Sequence, residues 1–152
     1  MGAMTLWVLL LPLLLFSSAL DRAYAEEPIQ IATIEADPET YHLRDVTLHG
    51  RVHDLQVLDP YFQPSGTACT GAYLFTLEDE TGFIQVAVLG VCGMPAFRPP
   101  EVNEGETILL KAVIHAPGRF GYSYSLEGLR RPGSSSAPLH AVAKEIRKSD
   151  EP

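Results

Sequence analysis

The sequence predicts a mainly β protein: a small five-stranded barrel with a short N-terminal helix or turn and a flexible C-terminal tail. Three observations carry that prediction. Apolar residues recur at every second position in several separate runs, as half-buried strands require. Stretches rich in Gly and Pro punctuate the runs. The two cysteines of the 152-residue chain, Cys69 and Cys92, stand at the two ends of one apparent hairpin.

The chain opens with an apolar run, Leu6 to Phe16 ("LWVLLLPLLLF"). It is too short to cross a bilayer as a helix and suits a signal-peptide core. Ala23-Tyr24-Ala25 offers the small residues that a signal peptidase needs, so residues 1–25 read as a signal peptide, although "MGAMT" supplies no Lys or Arg ahead of the run. An uncleaved anchor and a cut after Ala19 remain open. Removing 25 of 152 residues leaves 127, enough for one domain, read here as residues 26–131, with a tail over 132–152. The address is periplasmic or secreted. The formal net charge is −8, which argues against non-specific nucleic-acid binding and against adhesion to an anionic membrane.

"IQIATIEADPETYHLRD" supplies Ile31, Ile34 and Tyr41 as apolar anchors, and Pro38 prevents one continuous helix. A short helix or turn is expected. "VTLHGRVHDLQVL" (Val46 to Leu58) alternates Val46, Leu48, Gly50 and Val52 with Thr47, His49, Arg51 and His53. This reads as a long strand in which Gly50 is suited to a bend or bulge.

The hairpin follows. With Glu80-Thr81 as its loop, Asp79 faces Gly82, and Phe75, Leu77 and Tyr73 face Val86, Ile84 and Val88. Every pair on that face is apolar, and a one-residue slip would set apolar against polar. Extended outward, the same register sets Cys69 opposite Cys92. An exported chain with an even cysteine count is where a disulfide persists. Closing this loop stabilises by up to roughly 3 kcal/mol in chain-entropy terms. "LEDETG" bunches three acids at the turn and reads as a solvated tip. After the hairpin, "GMPAFRPPEVNEG" must be a loop, "ETILLKAVIHA" (Glu106 to Ala116) gives a fourth strand and "RFGYSYSLEGL" (Arg119 to Leu129) a fifth, with Tyr122 and Tyr124 toward the core.

The order and spacing of "VTLHGRV", "YLFTLEDETGFIQV" and "NEGETILLKAVI" resemble the exported bacterial OB-fold domains related to the tRNA-anticodon-binding type. The resemblance spans roughly residues 29 to 130. A Pro-rich loop stands where that family usually has a helix between its third and fourth strands. The resemblance implies a ligand surface on the outer face of the second and third strands, flanked by two loops. Here those loops are "DPYFQPSGTACT", carrying Tyr61 and Phe62, and "APGRFG", carrying Arg119 and Phe120. Phe83 is the one aromatic residue on the strand face, beside Leu74, Thr76, Glu78, Gln85 and Ala87. Tyr61 and Phe62 can equally serve as a plug at the barrel end.

No catalytic motif is legible: there is no nucleophile elbow, no HExxH and no paired-carboxylate pattern. No metal site is expected. His49 and His53 lie about 13 Å apart along one strand, and His115 can approach His49 from a neighbouring strand without a third ligand. The elements with which OB-fold haem chaperones hold haem are missing, so no cofactor is expected. In the tail, Leu139, Val142 and Ile146 suit one short amphipathic helix after a Gly/Ser/Pro linker. The chain thus reads as a non-enzymatic exported module that engages a protein, peptide or envelope component through its loop end. A carrier of single-stranded nucleic acid or oligosaccharide on the strand face is the alternative.

Overall fold

A computed structural model of the protein describes residues 27–94, 98–118, 123–125, 128–130 and 138–149. Two short helices, α1 (Ile31–Ala36) and α2 (Pro38–Tyr41), precede ten strands. The strands are β1 (Asp45–Val57), β2 (Tyr61–Phe62), β3 (Ala68–Thr70), β4 (Tyr73–Glu78), β5 (Phe83–Val88), β6 (Val91–Cys92), β7 (Thr107–His115), β8 (Ser123–Ser125), β9 (Gly128–Arg130) and β10 (His140–Lys148). Five of them close a barrel in the order β1-β4-β5-β10-β7, with β7 returning to β1. All neighbours are antiparallel except β5 and β10. Five strands closed in this order make the protein an OB-fold.

β1 is long enough to serve two ladders. Asp45 to Arg51 pair with β7, and Arg51 to Val57 pair with β4, so Arg51 belongs to both. Where the ladders meet, a Cβ built on Gly50 would lie 2.4 Å from the Glu78 carbonyl oxygen. The absence of a side chain is what lets β4 approach. The bulge itself lies further on, between His53 and Gln56, and not at Gly50. There Asp54 takes a positive φ of 53°, and its N–H and that of Leu55 donate to the Glu104 carboxylate at 3.1 and 3.0 Å. Leu55 packs against the core as a result.

The fifth barrel strand differs from the expectation. Residues 123–125 and 128–130 pair with each other as a separate hairpin, which places Tyr124 outside the five barrel strands; Tyr122 lies outside the described residues. The barrel is closed instead by β10, in the segment expected as flexible tail and short helix, so the domain runs to Lys148. β10 carries a bulge between Ala143 and Glu145. Leu139, Ala141 and Ala143 face inward at period two. The extra residue then brings Ile146, opposite Leu110, onto the same face. Val142, the middle residue of the expected helical spacing, lies outside the core cluster, so the inward face is a period-two strand interrupted by a bulge.

Ile31 and Ile34 of α1 are fully buried in the core cluster with Leu48, Phe75, Leu77, Ile84 and Ile108. Burying two such side chains contributes about 1.5–3 kcal/mol each. The helix is anchored by the β4–β5 turn. Asp79 Oδ2 accepts from the Ile31 N–H at 2.8 Å and Thr81 Oγ1 from the Ala32 N–H at 3.1 Å. The other carboxylate oxygen accepts from the backbone N–H groups of Thr81 and Gly82 at 2.7 and 2.9 Å. Asp79 is therefore a cap, not part of a solvated tip. Partial burial works to raise its pKa, but the bonds from Thr81, Ile31 and Gly82 hold it below the ordinary value of 3.8. No helix stands between β5 and β7 among the described residues; Val102 enters the core from that connection.

Two outcomes follow from this architecture. Gly50→Ala is expected to cost about 1–3 kcal/mol by overpacking, read as a lowered denaturation midpoint. Asp79→Ala should lose about 1–2 kcal/mol at neutral pH as a missing cap. Because the folded carboxyl titrates below its unfolded value, that contribution is present above the ordinary carboxylate range and is lost as pH falls through the folded value. The stability gap between wild type and Asp79→Ala, measured by urea unfolding, should therefore close as pH drops below 3.8; a constant gap would contradict the cap.

Candidate ligand-binding face

The outer face of β4 and β5 is set by the hairpin register. Tyr73 pairs with Val88, Phe75 with Val86 and Leu77 with Ile84, as the sequence indicates. These side chains point into the barrel. The alternate positions, Leu74, Thr76 and Glu78 on β4 and Ala87, Gln85 and Phe83 on β5, point out in matching pairs.

The two ends of this face are unlike. At the Leu74–Ala87 end, a three-stranded sheet in the order β2-β3-β6 packs over the barrel. Leu58, Ala72, Leu74 and Ala87 form a second buried cluster there, with Tyr61 packed against it. Strands of two or three residues do not hold together unaided. Here Cys69 pairs with Cys92 across β3 and β6, and the two are joined by a disulfide. The offset of the β4–β5 ladder is kept through both cysteines, although the strands break at Gly71, whose φ is 78°, and at Gly90. The hairpin is one long ladder whose outer part lies back over the barrel.

At the other end the face is open. Phe83 is 68% exposed, Gln85 and Glu78 are exposed and Thr76 is half-buried. Arg51 and His53 of β1 pair with Glu78 and Thr76 and extend the surface. His53 bridges two carboxylates, with Nε2 3.0 Å from Glu78 and Nδ1 3.7 Å from Glu104. The strip is polar and mixed in charge around one aromatic ring, and neither β4 nor β5 adds a Lys or Arg.

Against the expected site, the structure separates the residues into two places. Tyr61 and Phe62 sit on β2, opposite Cys69 and Ala68. Tyr61 is half-buried on the inner side of the flap, against Leu74 and Ala87, while Phe62 is 71% exposed. Neither plugs the barrel, whose core holds Ile31 and Ile34 instead. Phe83 lies at the turn end of β5, about 13 Å along the strand from Ala87. Arg119 and Phe120 lie outside the described residues. His115 does not approach His49, which pairs with Leu109 and hydrogen-bonds Ser149 at 3.4 Å. It meets His42 and His140, a grouping that residues so distant in sequence gave no means of finding. Among the described residues, no group of three His, Cys, Asp or Glu side chains is placed to hold a metal, and no helix is long and apolar enough to cross a membrane.

A scan against protein-family models finds no match, and no curated protein matches the chain. Among solved structures, the chain is similar to the second OB-fold domain of replication protein A from Methanococcus maripaludis, solved by solution NMR. The two share 15% identity over 73% of this chain and 89% of that one, with a TM-score of 0.46.

The disulfide's part in this arrangement is measurable. Cys69→Ser with Cys92→Ser should lose at most about 3 kcal/mol. Amides of β2, β3 and β6 should gain hydrogen exchange while those of β4 and β5 stay protected. Equal loss in flap and barrel would show that the two unfold as one unit.

Proposed function

We propose that the protein is a non-enzymatic binding module, exported from the cytoplasm, that engages a protein, peptide or envelope component along the outer side of its barrel, with Phe62 on the flap and Phe83 on the open half of the β4–β5 face as anchors. The observation that carries this reading is the outer face of β4 and β5. One half is covered by the disulfide-clasped flap, and the other presents Glu78, Gln85 and Thr76 with Phe83 as its one aromatic ring. Single-stranded nucleic acids are held by basic grooves with stacked aromatics, a composition that this strand pair lacks. The net charge of −8 supports the same preference. Exposed aromatic side chains such as Phe62 and Phe83 suit anchors at a protein or peptide interface. The disulfide supports an oxidising compartment, in keeping with the signal-like apolar run at residues 6–16.

The test replaces Phe62, and separately Phe83, with a photo-crosslinking residue in the protein expressed in its own cell. A discrete protein adduct from the envelope fraction, reduced at least about tenfold when the other aromatic is changed to Ala, is the expected result. In parallel, fluorescence anisotropy with an oligo-dT probe at low salt should show no binding. Salt-dependent oligonucleotide binding that is lost in Phe83→Ala, with no protein adduct, would overturn the reading in favour of a nucleic-acid carrier.

A further inference from the structure

Three histidines far apart in sequence meet at one end of the barrel. His42 follows α2, His115 ends β7 and His140 begins β10. His140 stands between two strands, pairing with His115 on β7 and with Gln85 on β5. The His115 and His140 rings stack with centroids 4.9 Å apart and planes 8° from parallel. His42 meets His115 edge-on, at 6.2 Å and 87°.

The hydrogen bonds assign the state of Nδ1 in two rings. Ala116 N–H donates to Nδ1 of His42 at 3.2 Å, so that nitrogen is the acceptor. The Pro138 carbonyl lies 2.9 Å from Nδ1 of His140 and can only accept, so that nitrogen carries its proton. Ala116 opens the segment between β7 and β10, and Pro138 lies one residue before its end. Each end is thus tied to a histidine, and His115 lies against both rings. Nδ1 of His115 is buried and has no hydrogen-bond partner among the described residues.

We propose that the stacked rings of His115 and His140, packed against His42, form a pH-responsive latch: neutral rings hold the start of β10 against β7 and β5, and protonation of the stacked pair releases it. The chemistry is direct. A charge on His115 faces other imidazoles: among the described residues, the titratable groups acting on it are His140 and His42. β5 adds only the neutral Gln85 at the His140 pair. Burial, and then the neighbouring His140 and His42, hold His115 below the ordinary histidine value of 6.5. Burial also lowers His140, against the Pro138 bond, which raises it.

The sign follows from linkage. Folded pKa values below the unfolded ones mean that the released state binds more protons. The latch is fully present above pH 6.5 and weakens as pH falls toward the folded values. The seam is a natural place for local release, because the β5–β10 pairing covers only His140 to Val142.

The experiment is amide hydrogen exchange on the full chain, corrected for intrinsic rates, at about pH 7.5 and about pH 5.5, either side of the ordinary histidine range. Opening at Ala116, Ala141 and Val142 should rise by up to about tenfold per pH unit for each proton taken up, while β4 amides stay unchanged. His115→Phe keeps a ring in the stack and cannot titrate, so its exchange should depend far less on pH. Equal protection at both pH values, or an unaltered pH dependence in His115→Phe, overturns the latch. Should that variant fail to fold, ring-nitrogen chemical shifts of the wild type decide: His115 is expected to titrate below 6.5 in step with the release of Ala116. Titration of the ring with no change at Ala116 would equally overturn it.

Discussion

The double use of β1 is the constraint on which the rest of the molecule depends. One strand of thirteen residues must pair with β7 along its first half and with β4 along its second. It can do so only by coiling sharply, since flat strands do not close small barrels. Gly50 permits the close approach of the Glu78 backbone, and the Asp54–Leu55 bulge, stitched by Glu104, adds the second bend. Once β1 is bent, the places of β4 and β7 are set. β5 follows β4 through a two-residue turn, and a single gap between β5 and β7 remains for β10.

Closure in turn decides where ligand-facing surface can exist. Ile31 and Ile34 of α1 complete the core, under the Asp79 cap. The outer face of β4 and β5 is then divided by the continuation of its own hairpin. Because the ladder keeps its offset through Cys69 and Cys92, the flap lands on Leu74 and Ala87 and leaves Phe83 open. The disulfide has its structural effect at this point: it clasps the flap and so fixes which half of the face is available.

How much of this could be read from the residues depended on whether the signal was local. The β4–β5 register and the cysteine pairing were legible because both lie in one hairpin, where a two-residue loop and matched apolar pairs leave one register. α1 was legible through Ile31, Ile34 and Pro38. β10 was not, because Leu139, Val142 and Ile146 suit a helix, whereas the strand faces Leu139, Ala141, Ala143 and, after the bulge, Ile146 inward and leaves Val142 outside the core cluster. The alternating run after Gly118 drew the fifth strand to the wrong segment; its described parts pair with each other. Asp79 looked like one acid in an exposed turn, since its partners, Ile31 and the α1 backbone, lie 48 residues away. In the candidate site, the exposure of Phe83 followed from alternation, but the burial of Tyr61 depends on contacts with Leu58, Ala72, Leu74 and Ala87 that only the folded flap creates.

The late position of β10 in the chain has a kinetic consequence. Every other barrel neighbour of β5 or β7 has been synthesised by His115, yet both strands keep an open edge until residues 140–148 arrive. The closing contacts are also non-local, and such contacts are slow to form because the loop entropy must be met first. During that interval the chain carries two unpaired rows of backbone donors and acceptors, the feature that recruits foreign strands. The stretch in which the barrel completes itself is thus also the stretch in which it is most exposed to association with other nascent chains.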